Sequence, residues 1–428
     1  MSAHRPSVII MYHFFYPDDV VSARHFSQFA EELVKYGWNV TILTSNRFCR
    51  NTKKKILKSD ELWRGMKIIR IKRPAWNQAN PFFRLANSAW LILAWSLKIC
   101  KLPRADVIIV GSDPQFSALL FPVLRILKRG KLLVHWCFDL YPDAITADGA
   151  KGFVKWFAEK LTVLMRWAYR SVDLMVDIGP CMKKKLSPFH RNSRSATLAP
   201  WSLVESDSIQ KPDNVTRHEL FNDAKLALLY SGNMGKAHDF SLILELARRL
   251  NREDKKIAFC FACRGNRSGE LLKAVGPNDT NIRFASFAEE HELEKRLNSA
   301  DIHLLSVRPG WEGIVVPSKF FASLAAGKPV LYTGPEGSSI YKWIQEFQIG
   351  LVLNKNNMEE VVEKLLRITD QPDTLKVWQE NSFKAYKYFS KKGIINQWDK
   401  LLRDILRDKE VLPAKSSLKN IYTTLYTK

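Results

Sequence analysis

The stretch Leu228-Leu229-Tyr230-Ser231-Gly232-Asn233-Met234-Gly235-Lys236-Ala237-His238-Asp239 decides how this chain reads. An unbroken apolar run ends in Ser-Gly-Asn-x-Gly, which predicts a strand that turns at glycine and feeds a helix. Such a turn exposes backbone amides, and Lys236 and His238 stand beside it, so the corner suits the oxygens of a diphosphate. For this segment alone, an ordinary strand-to-helix turn is the alternative.

On either side the pattern repeats. Apolar runs at Val8–Tyr12, Val40–Thr44, Lys67–Ile71, Val107–Val110, Leu132–Trp136 and Leu174–Asp177 alternate with helix-period segments such as His25–Tyr36. After a polar stretch, Glu205 to Asp223, strands recur at Ala227–Ser231, Ile257–Cys263, Ile282–Phe284, Ile302–Leu305, Val330–Tyr332 and Leu351–Leu353. Continuous Val/Ile/Leu runs between helices predict buried parallel strands. The fold class is therefore α/β, with two Rossmann-like doubly wound domains facing across a cleft, where the site is expected beyond the carboxyl ends of the strands. The expected divisions are residues 1–203, 204–390, a helix over 391–411 packing back toward the N-terminal domain, and a loose tail over 412–428.

Composition narrows the function classes. With 46% hydrophobic and 25% charged residues in 428, the chain can bury several cores and is not disordered. Its net charge is +23, of which +18 falls in residues 1–200. A one-sided positive field points to nucleic acid, an anionic membrane or phosphorylated substrates. Six scattered cysteines are unlike a disulfide framework and suggest a reducing compartment. The N-terminus carries no signal-peptide pattern, and the apolar runs Ala89 to Leu97 and Ala118 to Leu127 are too short to span a bilayer.

A second signal runs Arg308-Pro309-Gly310-Trp311-Glu312-Gly313-Ile314-Val315-Val316-Pro317-Ser318-Lys319-Phe320 and on to Ala325-Ala326-Gly327-Lys328-Pro329-Val330. Ser318 is placed to cap a helix ending at Gly327, and Arg308 and Lys319 flank its start. Together these strings resemble family 4 glycosyltransferases, most nearly bacterial enzymes of the colanic acid fucosyltransferase and O-antigen type. Phe15-Tyr16-Pro17-Asp18-Asp19 with Glu31-Glu32-Leu33, and Phe138-Asp139-Leu140-Tyr141-Pro142-Asp143, agree in the N-terminal half. The resemblance implies a GT-B fold, a nucleotide-diphosphate sugar as donor substrate, no cofactor, no metal ion, and transfer with retention. Donor-binding candidates are Gly232, Asn233, Gly235, Lys236, His238, Arg308, Ser318 and Lys319. One departure stands out. The family commonly carries two glutamates eight residues apart, and here those positions are Ile314 and Ala322. Glu312 is the nearest acid and the candidate replacement.

In the first half, Asp139 and His135 at the end of Leu132–Trp136 are the catalytic candidates beside Glu312, although His135 equally suits a core histidine. Arg24 and His25 are acceptor-side candidates, with a solvated helix start as the alternative. Lys155, Trp156, Phe157, Lys160, Arg166 and Trp167 mix rings and cations on one helix, which suits an anionic membrane surface; a core helix with a basic outer face is the alternative. Lys53-Lys54-Lys55 and Arg70-Ile71-Lys72-Arg73 add to the charge of that half. The expected protein is a peripheral enzyme on the cytoplasmic side of the inner membrane, moving sugar to a lipid-linked or glycan acceptor in cell-surface polysaccharide or lipopolysaccharide synthesis. A catalytically silent GT-B partner protein is the second reading, and no RRM, zinc or helix-turn-helix signature supports nucleic acid.

Overall fold

The computed structural model describes residues 5–49, 56–189, 193–253, 256–288 and 290–411. The Lys53-Lys54-Lys55 run and the expected tail over 412–428 lie outside them. The described residues form two compact units, one running to Ala199 and resuming at Lys392, the other Pro200–Lys391.

The first unit holds, among the described residues, an eight-stranded sheet of β1 (Ser7–Met11), β2 (Asn39–Ser45), β3 (Asp60–Trp63), β4 (Met66–Ile71), β5 (Ala105–Gly111), β6 (Gly130–Trp136), β7 (Leu174–Asp177) and β8 (Arg194–Thr197). Their order is β3-β4-β2-β1-β5-β6-β7-β8. All pairs are parallel except β3 with β4. Strands β3 and β8, the two edges of this sheet, escape the sequence reading because neither presents a buried apolar run. β3 alternates exposed and half-buried residues instead of presenting an apolar run, and it joins β4 through Arg64 and Gly65, both at positive φ, as a tight hairpin requires.

Helices cover both faces, because a parallel sheet buries both. On one side lie α2 (Pro81–Cys100), α3 (Leu120–Ile126) and, beyond the short α4 (Asp143–Ala147), α5 (Gly152–Tyr169). Leu91, Trp95 and Ile99 of α2, Phe121 and Leu124 of α3, and Met165, Ala168 and Tyr169 of α5 share one buried cluster with β1 and β5. On the other side, α1 (Val21–Lys35) sets Phe26 and Phe29 against Trp136.

The second unit holds a parallel six-stranded sheet among the described residues: β9 (Leu226–Asn233), β10 (Ile257–Arg264), β11 (Ile282–Phe284), β12 (Ile302–Ser306), β13 (Val330–Thr333) and β14 (Gly350–Leu353), in the order β11-β10-β9-β12-β13-β14. Its helices, after α6 (Pro180–Leu186) of the first unit, are α7 (Asn214–Phe221), α8 (Ser241–Leu250), α9 (Ser268–Ala274), α10 (Glu290–Ser299), α11 (Lys319–Ala325), α12 (Ser339–Phe347), α13 (Met358–Asp370) and α14 (Asp373–Tyr388). Helix α11 stops where Gly327 turns left-handed at φ +62°. The amides of Gly327 and Lys328 then close back on Leu324 and Ser323.

The last helix, α15 (Lys391–Val411), belongs almost wholly to the first unit. Its Trp398 is buried against Phe29 and Trp136, with ring centroids 5.1 and 5.0 Å away. Asp399 accepts from Trp38 Nε1 at 2.6 Å, and Arg403 donates to the Tyr36 carbonyl at 2.7 Å. Trp398→Ala should therefore destabilise the first unit by about 3–5 kcal/mol, as expected for an emptied aromatic site. Urea unfolding followed by tryptophan fluorescence reads this, and an unchanged midpoint would show that α15 is dispensable to that core.

Candidate active site

In each unit the strand order reverses beside one strand, and the carboxyl ends there form the crevice where α/β sheets bind ligands. In the second unit the crevice lies between β9 and β12.

The loop after β9 is stitched across it. The Arg308 amide donates to the Ala237 carbonyl at 2.8 Å, and Arg308 Nη1 donates to the Lys236 carbonyl at 3.0 Å. The Asp239 amide donates to Ser306 Oγ at 3.2 Å. Lys319, opening α11, reaches back so that Nζ donates to the Asn233 carbonyl at 2.7 Å and lies 5.0 Å over the Tyr230 ring. Gly232 permits this approach: its φ is +128°, and a Cβ there would stand 2.7 Å from Lys319 Cε. Burial pulls the Lys319 ammonium down to about 8. The two sequence signals thus meet at one corner, with Lys319 and Arg308 bonded to the loop that carries Lys236.

Three expectations for this corner change. The strand runs on through Asn233 and the next helix starts only at Ser241, so the turn does not feed a helix directly, and the Met234 amide is spent on the Arg264 carbonyl at 2.7 Å. Ser318 has helical angles and its side chain caps nothing. His238 brings no positive charge, because burial, followed by Lys319, drives its pKa down to about 3. Its Nδ1 lies 2.7 Å from the Ser306 carbonyl, so the proton sits on Nδ1. Nε2 is left as an acceptor, 3.5 Å from Lys319 Nζ.

Gly235 accepts from the His238 amide through its carbonyl at 3.1 Å. Glu312 is turned into its own loop, where a carboxylate oxygen accepts from the Gly310 amide at 2.8 Å. Ile314 is buried. Sequence reasoning missed Arg264, which ends β10, and Arg267, just before α9: the Arg264 carbonyl holds the Met234 amide while its guanidinium stacks 3.6 Å over Phe287, and Arg267 donates to the His238 carbonyl.

In the first unit the reversal lies between β1 and β5, and the crevice gathers residues from three strand ends. His13 Nδ1 donates to Asp113 Oδ1 at 2.9 Å. Ser112 Oγ accepts from the amides of Phe138 and Asp139, both at 3.1 Å. Burial, reinforced by Asp113, pushes the Asp139 carboxyl up to about 7. It therefore holds or releases a proton near neutrality, as a group meeting a hydroxyl must. His13 and Asp113 carry no local sequence signal; the carboxyl ends of two paired strands bring them together.

His135 is not in this crevice. It is buried on the other face of β6, with Nδ1 2.9 Å from the Val110 carbonyl and its ring between Phe121 and Tyr169, and burial lowers it to about 4. His25 is likewise buried one turn into α1, with Nδ1 2.9 Å from the Val21 carbonyl, which replaces the solvated helix start; Arg24 beside it is half-buried. Helix α5 packs Ala158, Met165, Ala168 and Tyr169 inward, as a core helix with a basic outer face would, and that outer face also carries rings. Its outer face carries exposed Phe153, Trp156, Phe157, Val163 and Trp167 beside Lys155, Lys160 and Arg166.

Among the described residues no group of three or more His, Cys, Asp or Glu stands close enough to hold a metal ion. No helix among them is long and apolar enough to cross a membrane.

The raised Asp139 has a consequence for stability. Unfolded, it ionises near 3.8; folded, near 7. Between those values the folded chain keeps a proton that the unfolded chain has released, so stability falls as pH rises through that window. Asp139→Asn should raise stability by on the order of 1–2 kcal/mol at pH 8, after allowance for partial exposure, and change little at pH 4. Urea unfolding at the two pH values checks this, and an equal effect at both would refute the shift.

Comparison with known proteins follows this division. A model described as a glycosyl transferase 4-like domain matches residues 22–198, and one described as glycosyl transferases group 1 matches residues 213–385. The chain is 27% identical over 252 residues to a probable glycosyltransferase, WbjE, of Pseudomonas aeruginosa, covering 58% of this chain and 62% of that protein. It is 25% identical over 251 residues to a putative colanic acid biosynthesis glycosyl transferase, WcaI, of Escherichia coli, covering 56% and 61%. The matches thus span less than two thirds of these relatives. Among solved structures, sucrose-phosphate synthase from Thermosynechococcus elongatus superposes with a TM-score of 0.67 at 14% identity, covering 95% of this chain and all of that one. WaaG, a glycosyltransferase involved in lipopolysaccharide biosynthesis, superposes at 0.60 with 15% identity, covering 93% and 99%. With both halves matched in order and two parallel-sheet units of this topology, the chain belongs to the family 4 glycosyltransferases of GT-B fold.

Proposed function

We propose that this chain is a retaining hexosyltransferase, working without a metal ion or cofactor, that moves sugar from a nucleotide-diphosphate donor to a lipid-linked glycan acceptor in cell-surface polysaccharide synthesis. The carrying observation is the corner of Gly232, Lys319 and Arg308. A departing diphosphate develops negative charge, and fixed cations with backbone dipoles in a partly buried crevice stabilise that charge more than they would in water. Lys319 is held by Asn233 and aimed across Gly232, so it needs little reordering to meet an oxygen. His238 adds an acceptor nitrogen instead of charge. In the first unit, Asp139 is the group suited to an acceptor hydroxyl, and Arg24 in the first turn of α1 is the acceptor-side cation. The descriptions of WcaI, for colanic acid biosynthesis, and of WaaG, for lipopolysaccharide biosynthesis, support a role in surface polysaccharide or lipopolysaccharide synthesis. The basic first unit supports a peripheral position on the cytoplasmic leaflet.

Purified protein titrated with UDP-, GDP- and ADP-sugars tests the donor half. One should bind, and Lys319→Ala should weaken it by about ten- to a hundredfold, the worth of one charge-assisted bond. Unchanged affinity in Lys236→Ala, Arg308→Ala and Lys319→Ala alike would remove the diphosphate from this corner.

The second reading, a silent partner protein, is favoured by Ile314 and Ala322 at the family's glutamate positions and by the engagement of Glu312 with Gly310. If Glu312 assists the reaction, Glu312→Gln lowers turnover with donor affinity nearly unchanged, and Ala322→Glu tightens donor binding. Donor binding with no transfer by the native protein, across membrane extracts as acceptor, supports the silent reading.

A further inference from the structure

We infer that α2 and α5 together form a two-helix apolar platform that inserts into an anionic lipid leaflet, with its aromatic leading edge beside the Asp139 crevice. The inference rests on the proposed transfer to a membrane-embedded acceptor and goes beyond contact by α5 alone.

Helix α2 is apolar on both sides. Asn87, Ser88, Leu91, Trp95 and Ile99 face the core. On the opposite stripe Phe82, Trp90, Leu93 and Leu97 recur at helical spacing, and Phe82 and Leu97 are 73% and 63% exposed. Its buried half is committed to the core, so α2 lies along a surface and does not cross it. Helix α5 repeats the arrangement, with Phe153 at 74% and Trp156 at 51% exposure above a buried face of Ala158, Met165, Ala168 and Tyr169. Ile126 at the end of α3, which contacts both helices, is 77% exposed. Because α2, α3 and α5 cover one core cluster on one face of the sheet, their outer stripes point the same way.

The charge says what covers this face. Helix α2 carries Arg84 and Lys98 and no acid, and α5 carries Lys155, Lys160 and Arg166 against Glu159 alone. A second copy of this chain would set cation against cation. An anionic leaflet pairs with the cations while the rings enter the acyl boundary. The Lys160 ammonium lies 5.8 Å over the Trp156 ring, so cation and ring stand together on the outer face.

The platform also has a direction. Both helices begin at the carboxyl edge of the sheet, the edge of His13, Asp113 and Asp139. Arg84 in the first turn of α2 acts electrostatically on Tyr141, which Asp139 also perturbs. The aromatic N-terminal ends, with Phe82, Phe83, Phe153 and Trp156, therefore lie toward the sheet edge that carries the first unit's crevice, where an acceptor rising from the leaflet would arrive.

The test is flotation of the full chain with vesicles of phosphatidylglycerol and phosphatidylethanolamine. Insertion predicts that most of the bound protein stays bound in about 1 M NaCl, where screening shortens to roughly 3 Å. The double variant Leu93→Glu, Leu97→Glu, on α2 only, should lose about tenfold or more in vesicle affinity, the cost of several buried methylenes. It should keep native nucleotide-sugar affinity and thermal stability, so a failed donor reading is scored separately. Complete release by salt would reduce the contact to headgroup charge and overturn the inference. So would a double variant that binds vesicles like the native chain, or a native dimer in sedimentation that the variant dissociates, which would make the face a subunit interface.

Discussion

Parallel pairing is the constraint from which the rest of this structure follows. A parallel strand must be reached by a crossover, each crossover lays a helix on a face, and both faces are thereby buried. That is why Val8–Met11 and Val107–Val110 are unbroken apolar runs. It also sends every strand's outgoing loop to the same edge. Where the order reverses, at β1/β5 in one unit and β9/β12 in the other, two loops diverge and leave a gap. Polar side chains with no place in a dry sheet collect there, and the candidate chemistry lies where the fold would otherwise be open.

The two crevices differ in charge. The second unit's is cationic, with Lys319 and Arg308 tied to the loop after β9 and His238 kept neutral by burial beside Lys319. The first unit's is acidic, with Asp139 held protonated up to about 7 by burial and by the neighbouring Asp113, and His13 bound to Asp113. A leaving diphosphate suits one environment and a hydroxyl about to lose its proton suits the other.

Much of this was legible in the amino-acid order. Buried parallel strands announce themselves by composition, and Gly232, Arg308 and Lys319 sit in contiguous strings whose roles follow from backbone chemistry. Strands without an apolar run do not announce themselves: β3, with Asp60 and Glu61, reads as loop because half of it faces water. His13 and Asp113 are one hundred residues apart and each is unremarkable alone; only strand pairing makes them neighbours. The neutrality of His238 and the raised Asp139 depend on burial, which no local string encodes. His135 shows the reverse error, since the end of a strand points alternately toward the crevice side and into the helix layer, and one residue of register decides between them.

The return of α15 to the first unit bears on how the protein is made. A ribosome releases residues 200–391 as one uninterrupted stretch holding every strand of its sheet, so that unit can finish folding while the chain is still growing. The first unit, begun earlier, finishes later, because Phe29 and Trp136 wait for Trp398 to cover them. Until then an aromatic surface stands open on the nascent chain, a natural place for a chaperone to hold. The portion translated first is thus the last to be sealed.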